Sequence, residues 1–214
     1  MITENDFVLI NFVGRIASTG KIFDLTDKII AEKEGVKLEG QDFSPVLVIP
    51  QAKYILEPIS KSLIGKNVGD RYSINIKARD AFGDFNNKLV KTIGMSSFRQ
   101  NKINPEPGDV VMLDNMMATV LSVSGGRVMV NFNHPLAGKD LVYDIEVVAI
   151  LEDVKQKYSW IFKHYAGKQP KDVVMEDNKV TIISSEPVKS YVSDAIIADI
   201  GKYVNKDVKI EISA

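Results

Sequence analysis

The chain has 214 residues, 45% of them hydrophobic and 26% charged, with a formal net charge of −1. This globular balance leaves room for two or three domains and argues against long disorder, and a net charge this small implies neither a polyanion nor a membrane surface as partner. With no cysteine and only two histidines, His134 and His164, disulfide and thiolate chemistry are excluded and a His/Cys zinc site lacks its ligands.

The first residues, Met1 to Asp6, are polar and acidic, unlike the basic start of a signal peptide. No run approaches the ~18 apolar residues of a membrane span. A cytoplasmic protein is expected. Val8, Ile10 and Phe12 alternate with Leu9, Asn11 and Val13, which predicts a strand. Gly20-Lys21 predicts a turn and Ile22-Phe23-Asp24 a short strand after it. Residues 26–44 are mostly polar and are read as a surface excursion with one short helix. Val46 to Ile49, between Pro45 and Pro50, predicts a strand. Ile55, Ile59 and Leu63 recur at helical spacing, with Pro58 in the first turn and Gly65 at the end. Tyr72, Ile74 and Ile76 alternate with polar residues, as a strand with one wet face does.

After Asp80-Ala81-Phe82-Gly83 the texture changes. Residues 86–133 hold five of the seven methionines: Met95, Met112, Met116, Met117 and Met129. Gly125-Gly126 joins two apolar runs, which predicts a hairpin with a two-residue turn. From Leu141 to Leu151 a strand returns, with Tyr143, Ile145, Val147 and Ala149 on one face. Two helices follow, one through Val154, Tyr158, Ile161 and Tyr165, the other through Val192, Ile196, Ile200 and Val204. Lys179–Ile183 and Asp207–Ile212 predict strands.

Several of these pieces, in order, resemble an FKBP domain: Phe12-Val13-Gly14, Gly20-Lys21-Ile22-Phe23-Asp24, the strand 46–49, Ile55-Leu56-Glu57-Pro58-Ile59, Val68-Gly69-Asp70 and Ala81-Phe82-Gly83. The segment Asn133-His134-Pro135-Leu136-Ala137-Gly138-Lys139-Asp140-Leu141, continuing through Tyr143, is similar to the return segment of SlyD-like FKBPs. In that branch an inserted domain replaces the flap, and the Met-rich stretch stands where the insert belongs. The excursion 26–44 and the C-terminal extension resemble the long archaeal forms. The resemblance implies an α+β protein: an antiparallel sheet wrapped on a short helix (1–85 with 134–152), a small β-rich insert (86–133) and an α/β C-terminal domain (153–214). It also implies a cofactor-free peptidyl-prolyl cis/trans isomerase. Three departures stand out: Ile59 occupies the pocket floor where many FKBPs have an indole, and Phe12 and Phe82 stand where tyrosine is frequent. The His- and Cys-rich tail of SlyD-like proteins is missing, so nickel binding is not carried over.

Prolyl isomerisation needs no nucleophile, metal or redox centre. The barrier is lost amide resonance, about 18–20 kcal/mol. The twisted amide has less charge separation than the planar one, so an apolar cleft favours it relative to water. The resemblance assigns that cleft to Phe12, Phe23, Asp24, Leu56, Ile59, Phe82 and Tyr143, with Val46, Val48 and Ile55 beside them. It gives the Leu56 N–H a substrate carbonyl to hold, and Asp24 the pocket edge.

On the residues alone, most of these side chains read as core, and Asp24 as a turn former. His134 reads as a surface or inter-domain residue rather than a general base. The methionines read equally as a surface for many extended sequences or as filling for a small core. The aromatic-rich helix at 154–165 reads as core, with a homodimer interface or a second client surface as alternatives. The expected partners are unfolded or nascent proline-containing polypeptides, with neither nucleic acid nor membrane. A non-catalytic holdase is the competing function.

Overall fold

The computed structural model describes residues 1–36, 43–176, 179–205 and 209–213. The chain divides into two compact units, residues 1–75 with 142–214, and residues 76–141. The architecture is α+β, with three separate sheets.

The first unit is built on β1 (Phe7–Ile16), nearly all of it buried. Its first half pairs antiparallel with β3 (Val46–Val48) and its second half with β2 (Ile22–Leu25). On its other side lies β9 (Leu141–Leu151), followed by β4 (Arg71–Ile76). In β9, Leu141, Tyr143, Ile145 and Val147 are buried while Asp144 is exposed, the period-2 pattern of a half-wet strand. Within the polar excursion, α1 (Lys28–Lys33) is capped by Asp27, whose carboxylate accepts from the Ile29 and Ile30 amides. The remainder of that excursion, 37–42, lies outside the described residues.

The short helix α2 (Glu57–Leu63) starts two residues later than its periodicity predicts, so Ile55 and Leu56 precede it. Pro58 in the first turn explains the start, because its missing N–H costs nothing there. The chain leaves the helix through Gly65, held at φ 82°.

The C-terminal elements pack onto this same unit. Helix α4 (Val154–Ala166) starts at an Asp153 cap and stops at Gly167, which is left-handed. Its inward face is Tyr158, Ile161 and Phe162, whereas the predicted Val154 is exposed at the first turn. Strands β10 (Asp172–Glu176) and β11 (Lys179–Ile183) pair antiparallel, and β12 (Lys209–Ser213) adds parallel to β11 after α5 (Ser190–Tyr203). The predicted start of β12 at Asp207 lies outside the described residues. One hydrophobic core joins Phe7, Leu9, Leu47 and Ile49 of the first sheet to Tyr158, Phe162, Ile182, Ile196 and Ile200.

The second unit is a four-stranded sheet in the order β5 (Val90–Gly94), β8 (Arg127–Asn131), β7 (Met116–Ser124), β6 (Val110–Leu113). Gly125 and Gly126, at φ 55° and 73°, make the two-residue turn between β7 and β8. Helix α3 (Met95–Gln100) covers one face, with Phe98 buried among Val111, Ala118, Val120, Val128 and Val130.

Candidate functional site: an aromatic wall and a free amide

Pairing of β1 with β2 and with β9 brings Phe12, Phe23 and Tyr143 together from three strands. The Tyr143 ring lies 5.5 Å from that of Phe12 and 5.8 Å from that of Phe23, the latter edge-on at 82°. Both are favourable aromatic geometries. Gly14 is what lets the rings close up. A β-carbon there would stand 2.8 Å from Phe23 Cζ and 3.2 Å from Tyr143 Cε1. Asp24 follows Phe23 on β2 and is half-buried. Burial, and then the charge of Asp24, push the Tyr143 phenol above its ordinary pKa of 10. The phenol therefore stays neutral, and the wall carries no charge of its own near pH 7.

Leu56 is the half-buried residue that opens α2. Its carbonyl accepts from the Ile59 and Ser60 amides. Its own N–H meets no acceptor among the described residues, as expected for a group at the start of a helix with no side-chain cap. Ile59 is fully buried one turn on, and Ile55 is half-buried just before. Val48 is fully buried, and Val46 is half-buried at the start of β3.

Phe82 belongs to the second unit. There it stacks on His134, ring centroids 4.3 Å apart and nearly parallel. His134 is itself exposed, and its Nδ1 accepts from the Leu136 amide. Of the five insert methionines, Met112, Met116, Met117 and Met129 are exposed, whereas Met95 packs against the Phe98 cluster. The stretch thus divides between surface and core. Among the described residues no group of carboxylates and histidines is placed to hold a metal ion. No described helix is long and apolar enough to cross a membrane.

Two residues went unread in the sequence. Gly14 lies inside the family-like Phe12-Val13-Gly14, but its close approach to Phe23 and Tyr143 appears only when β2 and β9 flank β1. Tyr54, just before the Ile55-Leu56 pair, hydrogen-bonds to Asp199 on α5, a contact 145 residues away that no local pattern signals.

Comparison with known proteins gives the class first. Residues 91–136 match the family model described as FKBP26, IF domain. The chain is 23% identical over 147 residues to the short-type peptidyl-prolyl cis-trans isomerase of Methanocaldococcus jannaschii, covering 69% of this chain and 92% of that one. It is 29% identical over 117 residues to the FKBP-type peptidyl-prolyl cis-trans isomerase SlyD of Vibrio cholerae, covering 53% of this chain and 58% of that one. The FKBP-type 16 kDa peptidyl-prolyl cis-trans isomerase of Escherichia coli K12 is 29% identical over 99 residues, covering 44% and 66%. The chain thus spans nearly all of the archaeal relative and little more than half of the Vibrio one. More particularly, the chain is homologous to FKBP-type isomerases, SlyD and the archaeal short-type form among them, and the IF-domain match over residues 91–136 is to an insert-in-flap family.

Proposed function

We propose that the protein is a peptidyl-prolyl cis/trans isomerase that accelerates folding of proline-containing polypeptides. The observation that carries this reading is the uncharged wall of Phe12, Tyr143 and Phe23, with Asp24 at its margin. Such a wall favours the twisted amide, whose charge separation is small, over the planar one. The Leu56 N–H, which meets no acceptor among the described residues, supplies a donor for a substrate carbonyl, which fixes the peptide while the bond before proline rotates. Ile55, Ile59, Val46 and Val48 complete the same proposal as neighbours of the proline ring. No proton is transferred, so neither histidine is needed.

The substrates on this reading are unfolded or nascent chains in the cytoplasm, with no nucleic acid involved. The insert, 86–133, holds extended segments on its exposed Met112, Met116, Met117 and Met129 and raises their local concentration. Those exposed thioethers also favour a second reading, a holdase without turnover.

A protease-free assay on a proline tetrapeptide separates the two. The isomerase reading expects acceleration over the spontaneous rate and a loss of at least about tenfold in kcat/KM for Tyr143→Ala, since tenfold needs only ~1.4 kcal/mol at the transition state. No acceleration by the wild-type chain leaves the holdase.

A further inference from the structure

The loop 50–56 links β3 to α2 and ends on the amide proposed to hold substrate. Its first half is tied to the N-terminal segment: the Gln51 amide donates to the Glu4 carbonyl at 3.2 Å, and Gln51 Nε2 to Asn5 Oδ1 at 2.6 Å. Its second half is tied to the C-terminal helices. Tyr54 Oη donates to Asp199 Oδ2 at 2.6 Å, a contact spanning 145 residues of sequence. Tyr165 Oη donates to that same oxygen. The Tyr54 ring stacks on His164, centroids 3.9 Å apart and 14° from parallel. It also meets Tyr165 and Tyr203 edge-on at 6.1 and 6.4 Å. Helix α4 thus supplies His164 and Tyr165, and α5 supplies Asp199 and Tyr203.

We infer that α4 and α5 position the proline-binding loop, with Asp199 holding Tyr54 and through it the Leu56 amide. The inference rests on the isomerase reading for its consequence, though not for its geometry. Leu56 is two residues beyond Tyr54, so their α-carbons are at most ~7 Å apart and little slack separates anchor from donor. A hydroxyl bonded to a carboxylate is among the stronger hydrogen bonds. Burial comes first, then the Asp199 hydrogen bond and charge, in raising the pKa of Tyr54 far above 10. The phenol therefore remains a donor across the accessible pH range. The three neighbouring rings of His164, Tyr165 and Tyr203 oppose rotation of Tyr54 out of the site, so the loop is ordered before substrate arrives, and binding need not order it. Tyr54 and Asp199 are positioning residues on this account, because neither belongs to the proposed proline-binding wall.

The test uses the full chain and two readouts. Amide hydrogen exchange of residues 51–57 reads loop order, and tetrapeptide turnover reads its consequence. Asp199→Ala should speed exchange in 51–57 by roughly tenfold while leaving β9 unchanged, a local effect that general destabilisation does not produce. Turnover should fall three- to tenfold in kcat/KM, with the loss in KM and kcat within about twofold. Asp199→Asn keeps an acceptor oxygen and should recover most of both. Tyr54→Phe keeps the stacked ring and the core volume, so it serves if Asp199→Ala fails to fold. Unchanged exchange in 51–57 in Asp199→Ala and in Tyr54→Phe overturns the inference. If the wild-type chain itself turns over no peptide, the isomerase reading fails, and the exchange data still decide whether the clamp exists.

Discussion

At Gly14 a single methyl group would reshape the aromatic wall. Its backbone has ordinary negative φ, so alanine brings no conformational strain; the conflict is only with Phe23 Cζ at 2.8 Å and Tyr143 Cε1 at 3.2 Å. Both rings must yield. Overpacking of this kind costs about 1–3 kcal/mol. Gly14→Ala is therefore expected to lower the thermal midpoint and to reduce kcat/KM on a proline peptide. A variant that melts lower but turns over peptide at the wild-type rate would show that the Phe23–Tyr143 geometry is not part of the catalytic surface. At this scale the sequence was partly readable. Phe12, Phe23 and Tyr143 could be named as a group because a family-like order of short motifs carried them. Nothing local shows that a glycine on β1 supports two rings from flanking strands, since such contacts depend on strand pairing. The same holds for Asp199, which looks like any polar residue on an amphipathic helix until Tyr54 reaches it.

The insert shows what element-scale patterning can and cannot reveal. Its hairpin was legible because two apolar runs flank Gly125-Gly126, and only a left-handed pair of residues makes that turn cheaply. Strand β5 was not, because Val90 to Gly94 contains no fully buried residue to set a period. Strand β10 is the same case, with Val173 its only buried side chain. In the folded insert Val111, Val120, Val128 and Val130 face Phe98, and Met112 pairs with Met117 across β6 and β7 on the exposed side. The two ends of the insert already meet: the Asn86 amide donates to Asn133 Oδ1 at 2.9 Å, and Asn133 Nδ2 donates back to the Asn86 carbonyl at 3.0 Å. Removing 86–133 therefore rejoins neighbouring points of chain, at a small closure cost. If the exposed methionines hold clients, that deletion should slow refolding of a proline-limited protein far more than turnover of a short peptide. Comparable losses in both assays would assign the insert a scaffolding role instead.

At the scale of the chain, the C-terminal segment shares its core with the β1 sheet. Phe7, Leu9, Leu47, Ile49, Ala52 and Leu151 are buried in one cluster with Tyr158, Ile161, Phe162, Ile196 and Ile200. The amphipathic periods of α4 and α5 showed in the sequence which faces are apolar. They did not show what covers them, because a period identifies an inward face without identifying its partner. A chain ending at Glu152 would expose the sheet side of that cluster. Each large apolar side chain returned to water costs about 1.5–3 kcal/mol, and the whole fold is held by about 5–15. Losing four or five such burials consumes most of that margin, before the loss of the Tyr54–Asp199 bond is counted. The truncated chain is therefore expected to lose its cooperative melt by circular dichroism and to become readily proteolysed at 20 °C. Should it instead melt cooperatively within a few degrees of the full chain, the first sheet would be self-sufficient. The shared cluster would then be a docking interface between two stable bodies rather than a common core, and the Tyr54–Asp199 bond on the loop 50–56 would lie across that interface.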